Sequence, residues 1–209
     1  MISCALSFVV EHVSGITCFD SRLYLICPDR HTIQVFRADT LSEVSVITVS
    51  GLRNPKNIVA CRDDKQLYVI DIMNSIWRVS AEDPNDYDEW LTDYALRGYC
   101  SLSVKSRRLL VTSQQPHSLR QYFTLNRQLL RAIDLPDSLK ELTHAVETSR
   151  GTFVVCHVKP SAVSEFIATT SRLSVFDVEA PGCMFVYFKQ SRKFIGLESA
   201  HFSALTPVI

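Results

Sequence analysis

The stretch Gln66-Leu67-Tyr68-Val69-Ile70-Asp71 carries the information that decides the fold. Four apolar residues run consecutively, β-branched or aromatic at three of them, which is the pattern of a short strand covered on both faces. The same run recurs along the chain. Leu23-Tyr24-Leu25-Ile26, Leu109-Leu110-Val111-Thr112 and Phe153-Val154-Val155-Cys156 begin 44 residues before it, 42 after it, and 44 after that. A second series follows each run by about ten residues: Ile33-Gln34-Val35-Phe36, Ile76-Trp77-Arg78-Val79, Leu119-Arg120-Gln121-Tyr122 and Val163-Ser164-Glu165-Phe166. A third precedes each: Ile16-Thr17-Cys18-Phe19, Ile58-Val59-Ala60-Cys61, Leu102-Ser103-Val104-Lys105 and Ala145-Val146-Glu147-Thr148. Three series share one period of about 43 residues, and a fixed period in this range marks a repeat architecture.

Polar turns join the first two strands of each unit: Asp20-Ser21-Arg22, Arg62-Asp63-Asp64-Lys65, Ser106-Arg107 and Ser149-Arg150-Gly151. Such turns between apolar runs are hairpin signals. A fourth, more variable strand follows at 44–49, 87–91, 129–135 and 173–178. Each unit is thus an antiparallel meander of four strands, A to D. A degenerate fifth unit fits the same ruler, with strands at 183–188, 194–197 and 202–205. Four-stranded units of about 40 residues in tandem predict an all-β chain, a β-propeller whose blades bury their faces against one another. The units are a stray strand D at 7–13, then blades at 15–52, 54–96, 98–139 and 141–180, and a partial blade at 182–209, all in one propeller domain. Helical periodicity is missing; a short turn at 137–142 is the one helical feature the pattern allows.

Unit two carries a family resemblance. Pro55 stands before strand A, Leu67-Tyr68-Val69 forms strand B with Asp71 at its end, and Asn74 precedes strand C. This resembles an NHL repeat, within the wider group of six-bladed TolB-like and WD40/YVTN-like propellers. Unit one matches through Leu23-Tyr24-Leu25 and Ile33-Gln34-Val35-Phe36, whereas units three and four keep the spacing and lose the Asp and Asn. The Trp-Asp dipeptide of WD repeats is absent. NHL-like propellers close with six blades, so the resemblance implies either a small divergent ring or part of a larger one. A pairing of residues 7–13 beside the 183–205 unit would close it.

Composition narrows the function classes. The chain has 209 residues, 46% of them hydrophobic, and a formal net charge of zero. A disordered chain and a globally basic nucleic-acid binder are both excluded. No apolar window reaches the ~18 residues of a membrane helix, and the reading is a soluble chain with no membrane partner. The apolar start lacks a basic residue and a small-residue cleavage pattern, so it reads as a strand rather than a signal peptide. Seven cysteines without a C-x-x-C pair read as reduced apolar residues of an intracellular protein.

No nucleophile elbow, dinucleotide fingerprint, P-loop or H-E-x-x-H motif occurs. The six histidines are dispersed. The acidic stretch 82–89 lacks the spacing and glycine of a calcium loop and reads as a solvated C–D turn. Lys105-Ser106-Arg107-Arg108 reads as a hairpin tip, and Trp77 as blade packing. Propellers bind partners at the channel end formed by D–A and B–C loops, a fold-level analogy. Arg30, His31, Arg53, Lys56, Asn57, Arg97, Tyr99 and His144 are the candidate partner-binding residues there. Six basic residues at this end (Arg30, Arg53, Lys56, Arg97, Lys140, Lys159) face two acidic ones (Asp29, Glu141). The leading expectation is a non-catalytic module that recognises a protein or peptide, with no cofactor. The resemblance implies two alternatives. One is a metal-dependent lactonase-like hydrolase, for which Asn57 and Asp71 are the nearest candidates. The other is a single-stranded RNA binder, with Tyr99 as its stacking residue.

Overall fold

The computed structural model describes residues 12–93, 97–136, 140–159, 162–167, 172–177, 184–188, 193–197 and 202–205. They form strands joined by turns, with no helix among them. Blade one comprises β1 (Gly15–Phe19), β2 (Arg22–Ile26), β3 (Thr32–Arg37) and β4 (Glu43–Thr48). Blade two comprises β5 (Asn57–Cys61), β6 (Gln66–Ile70), β7 (Ser75–Ser80) and β8 (Tyr87–Thr92). Blade three comprises β9 (Arg97–Lys105), β10 (Arg108–Gln115), β11 (Ser118–Phe123) and β12 (Leu129–Asp134). Blade four comprises β13 (Lys140–Glu147), β14 (Phe153–Lys159), β15 (Ala162–Ile167) and β16 (Arg172–Asp177). A three-stranded sheet follows: β17 (Met184–Phe188), β18 (Lys193–Leu197) and β19 (Phe202–Leu205). Every sheet is an antiparallel meander in sequence order.

Strand B is apolar at consecutive positions because its alternate side chains serve different interfaces. Leu67 and Val69 of β6 join the core shared with blade one, beside Tyr24, Ile33 and Ile47. Tyr68 and Ile70 point the other way, into the core shared with blade three, beside Trp90, Leu109 and Val111. In β10, Leu110 in turn enters the next core with Leu142, Phe153 and Val155. The first strands β1, β5, β9 and β13 touch in succession. They are therefore the inner strands of blades arranged about an axis.

The A–B turns work without Asn-Gly. Asp20 and Ser21 in blade one, and Ser106 and Arg107 in blade three, are consecutive residues with positive φ, the pairing a type I′ hairpin requires. The β3–β4, β7–β8 and β11–β12 pairs each carry a register shift. Bulges at the same hairpin of three blades bend the outer strand.

Three boundary expectations change. Residues 140–142 belong to strand β13, not to a helical turn; residues 137–139 lie outside the described residues. Strands β9 and β13 start earlier than the apolar pattern indicated. Irregularities at Ser113/Gln115 and Leu142/His144 carry pairing past polar residues. Of the stray strand at 7–13, residues 7–11 lie outside the described residues, and His12 and Val13 are not in a strand. Pairing between that segment and the 183–205 unit lies outside them too.

Candidate functional site

Blades one and two build a continuous surface at the end where D–A and B–C loops emerge. His31, in the β2–β3 loop, bonds through Nδ1 to the carbonyl of Leu52 in the β4–β5 loop. The next residue, Arg53, accepts a bond at its carbonyl from the Ile72 amide, 3.1 Å away in the β6–β7 turn. One side-chain bond and one backbone bond thus tie loops of blades one and two to the segment between them. On this frame Arg30, His31 and Arg53 are exposed. Ile72 and Met73 stand beside them, 52% and 60% exposed. Lys56 is half-buried and its Nζ donates to Asn54 Oδ1 at 2.9 Å.

Asp71 organises this corner. Its Oδ1 accepts from the amides of Met73 at 2.8 Å and Ser75 at 3.1 Å. Its Oδ2 accepts from the Trp77 indole Nε1 at 3.1 Å, and the Arg53 amide lies at 3.4 Å. Asp71 is buried. Asn74, at φ +60°, supplies the left-handed residue that closes the turn. The Asp and Asn that give unit two its family likeness are therefore the carboxylate cap and the hinge of one hairpin. Trp77 packs against the D–A loop: a Cβ built on Gly51 would come 2.6 Å from its Cη2. Gly51 also has φ +100°, which no side chain tolerates cheaply. Gly51→Ala is expected to destabilise the chain by about 2–3 kcal/mol, measured by urea unfolding; a loss under about 0.5 kcal/mol would contradict this geometry.

Several sequence candidates lie elsewhere. Asn57 opens strand β5, is buried, and accepts at Oδ1 from the Leu102 amide of blade three at 3.0 Å. His144 lies within β13, and its Nδ1 bonds the Ser101 hydroxyl of blade three at 3.1 Å. These bonds, with Ala60 N to Thr17 Oγ1 at 3.2 Å, span 43 to 45 residues and tie inner strands of successive blades. Arg97 and Tyr99 belong to strand β9 rather than to a loop. Lys140 and Lys159 face each other at the ends of β13 and β14. The loop-end cluster that the structure assembles is therefore Arg30, His31 and Arg53, with Lys56 at its edge. Ile72 and Met73 were missed. Their signal was two apolar residues at the tip of a tight turn, where packing has no use for them.

Burial holds the His144 imidazole down, with a pKa of about 4. The ring is neutral in the folded chain at pH 5–7, whereas the unfolded chain protonates near 6.5. Stability from this group is complete above pH 6.5 and is lost as pH falls towards 4. Wild type should lose roughly 1–3 kcal/mol more than His144→Gln between pH 7 and pH 4. Parallel melting curves for the two proteins over that range would refute the assignment.

The opposite end carries the acidic stretch as a C–D hairpin. Ser80 Oγ caps the amides of Glu82 and Asp83, and Lys65 pairs with Glu82 at 2.6 Å.

Comparison with solved structures places this geometry. The chain aligns with the crystal structure of a nidogen/laminin complex at TM-score 0.67 and 17% identity, over 79% of this chain and 64% of that one. It aligns with Kuenenia stuttgartiensis hydrazine synthase at TM-score 0.64 and 14% identity, over 98% of this chain and 64% of that one. It aligns with U3-55K at TM-score 0.61 and 14% identity, over 82% of this chain and 54% of that one. The fold is a β-propeller. The propeller described here spans less than two thirds of the length of each of these chains, and at such identities the likeness is one of fold alone. No protein-family model and no curated protein matches it.

Proposed function

We propose that the propeller is a non-catalytic binding module, and that it takes a protein or peptide partner on the blade one–blade two loop surface. One observation carries this reading. Ile72 and Met73 are exposed side by side on a turn whose amides are hydrogen-bonded, next to exposed Arg53. Large apolar side chains held rigidly in water, beside a cation, are what interface hot spots are made from. Two of the similar structures are a protein complex, nidogen with laminin, and U3-55K; neither identifies a partner for this chain.

The hydrolase alternative has less support. Asp71 already accepts three to four N–H groups, and the Asn57 carboxamide oxygen is engaged by Leu102. The donor atoms a metal would need are satisfied internally. An NHL-like lineage is part of the proposal and rests on the Pro55, Asp71 and Asn74 hairpin grammar. An intracellular setting is proposed on the thiols of Cys18, Cys27, Cys61 and Cys100, none of them in a disulfide among the described residues.

A photo-crosslinking residue at position 73, expressed in cells, tests the reading. Discrete adducts are expected from Met73, sharply reduced by Arg53→Glu, and not from the same group at Val44 on an outer strand. Equal adduct patterns from positions 73 and 44, or adducts indifferent to Arg53→Glu, would overturn it.

A further inference from the structure

A cleft of about 310 Å³ opens between blades two and three, at the end opposite the loop surface. Tyr68 and Thr124 line it, Arg78 and Arg107 flank it, and Leu125 and Asp63 stand at it as exposed residues. The polar atoms around it are unequally committed. Asp64 Oδ1 lies 2.9 Å from Arg107 Nε as an ion contact, and Oδ2 accepts from the Cys61 thiol and the Thr124 hydroxyl. Asp88, behind Arg78, accepts from Arg78 Nε at 2.8 Å on one oxygen and from Arg127 Nη2 at 2.8 Å on the other. Asp88 is thus spent on both oxygens, whereas Asp64 Oδ1 carries the ion contact to Arg107 and accepts no hydrogen bond from the described residues. Among the described residues Arg78 donates through Nε alone, and Arg107 donates through Nη2 to the Asp63 carbonyl while its Nε only contacts Asp64. Each guanidinium carries five N–H donors. The cleft therefore offers unspent guanidinium donors, and its one buried carboxylate, Asp64, already lies in contact with Arg107.

We propose that this cleft binds an oxyanion, a carboxylate or phosphate group, between Arg78 and Arg107. Guanidinium forks match such groups by paired, charge-assisted hydrogen bonds. The volume suits one such group with a short stem rather than a nucleotide. Gln66, which also lines the cleft, adds an amide donor. Asp63 is the opposing feature: its exposed carboxylate repels an anion at the mouth, so removing it should tighten binding.

The protein contains its own reporter. Trp90 donates from Nε1 to the Thr124 carbonyl at 3.2 Å and packs edge-on against Tyr68 with ring centroids 5.3 Å apart. Both partners line the cleft. The second of the chain's two tryptophans, Trp77, sits at the other end on Asp71 and serves as internal control. The experiment titrates ¹⁵N-indole-labelled full chain with inorganic phosphate and, separately, succinate, at ionic strength held constant with sodium chloride. A saturable shift of the Trp90 indole signal is expected, with Trp77 unmoved. Arg78→Gln breaks only a part-exposed ion pair, so the chain keeps its fold; it should weaken binding by about tenfold. Asp63→Asn should strengthen it by about two- to fivefold. A response to phosphate alone or to succinate alone assigns the anion class. No saturable Trp90 shift with either anion, a shift indifferent to Arg78→Gln, or weaker binding in Asp63→Asn overturns the proposal.

Discussion

Trp90→Ala lowers the free energy of unfolding by about 3–5 kcal/mol, the range for emptying a large aromatic site. Trp90 is fully buried in β8. It stands between Tyr68 of its own blade and Tyr122 of blade three, edge-on to both, with centroids at 5.3 and 6.2 Å. Its indole N–H reaches across to the Thr124 carbonyl. Truncation removes the apolar area, two aromatic contacts and one interblade hydrogen bond, and leaves the Thr124 carbonyl buried without that donor. Against a typical total of ~5–15 kcal/mol the loss is severe. Urea unfolding followed by circular dichroism reads it directly, with the m-value preserved if the variant still unfolds in one step. A loss below about 1 kcal/mol would show that the blade two–blade three interface is not packed around Trp90. Trp90→Phe keeps most of the area and should recover more than half of the loss.

Asp71→Ala is expected to cost about 3 kcal/mol, although no charge partner is lost. The carboxylate holds the Met73 and Ser75 amides and the Trp77 indole. Each donor left unpaired in a buried corner costs about 1–3 kcal/mol. Asp71→Asn retains one acceptor oxygen and should cost about half as much. The two variants also separate hairpin support from metal binding. With Asp71 acting as a cap, stability in calcium and in chelator is the same for wild type. Calcium-dependent melting that vanishes in Asp71→Asn would instead favour the hydrolase alternative. The loop surface depends on the same corner, because Asp71 fixes the turn that presents Ile72 and Met73.

The fold was legible because two-sided burial writes itself into a sequence. Strand B residues such as Leu67 through Ile70 must be apolar without alternation, since odd and even positions feed separate cores. That run, repeated at 42 to 44 residues, needs no partner to be read. The inner-strand residues were not legible for the opposite reason. Thr17, Asn57, Ser101 and His144 are polar because they bond a neighbouring blade 43 to 45 residues away. In sequence such a residue looks like a loop residue with a free functional group. Asn57 and His144 were read that way, and Arg97 and Tyr99 were assigned to a loop that β9 absorbs through an irregular pairing. Arg30, His31 and Arg53 lie in the β2–β3 and β4–β5 loops, since turn boundaries follow from strand period alone. Their convergence with Ile72 and Met73 depended on bonds between different loops, which no local pattern encodes.

The central claim is that periodic strands become blades whose inner strands are bonded in succession about an axis. The decisive measurement is the set of interblade proton contacts in a deuterated sample with protonated amides and selected side chains. The account predicts cross-peaks from the Leu102 amide to the Asn57 side chain, and from the Ala60 amide to Thr17. It also predicts cross-strand peaks within each hairpin. Hairpin peaks without the interblade ones would mean independent sheets, and would contradict the propeller and the binding surface built on it.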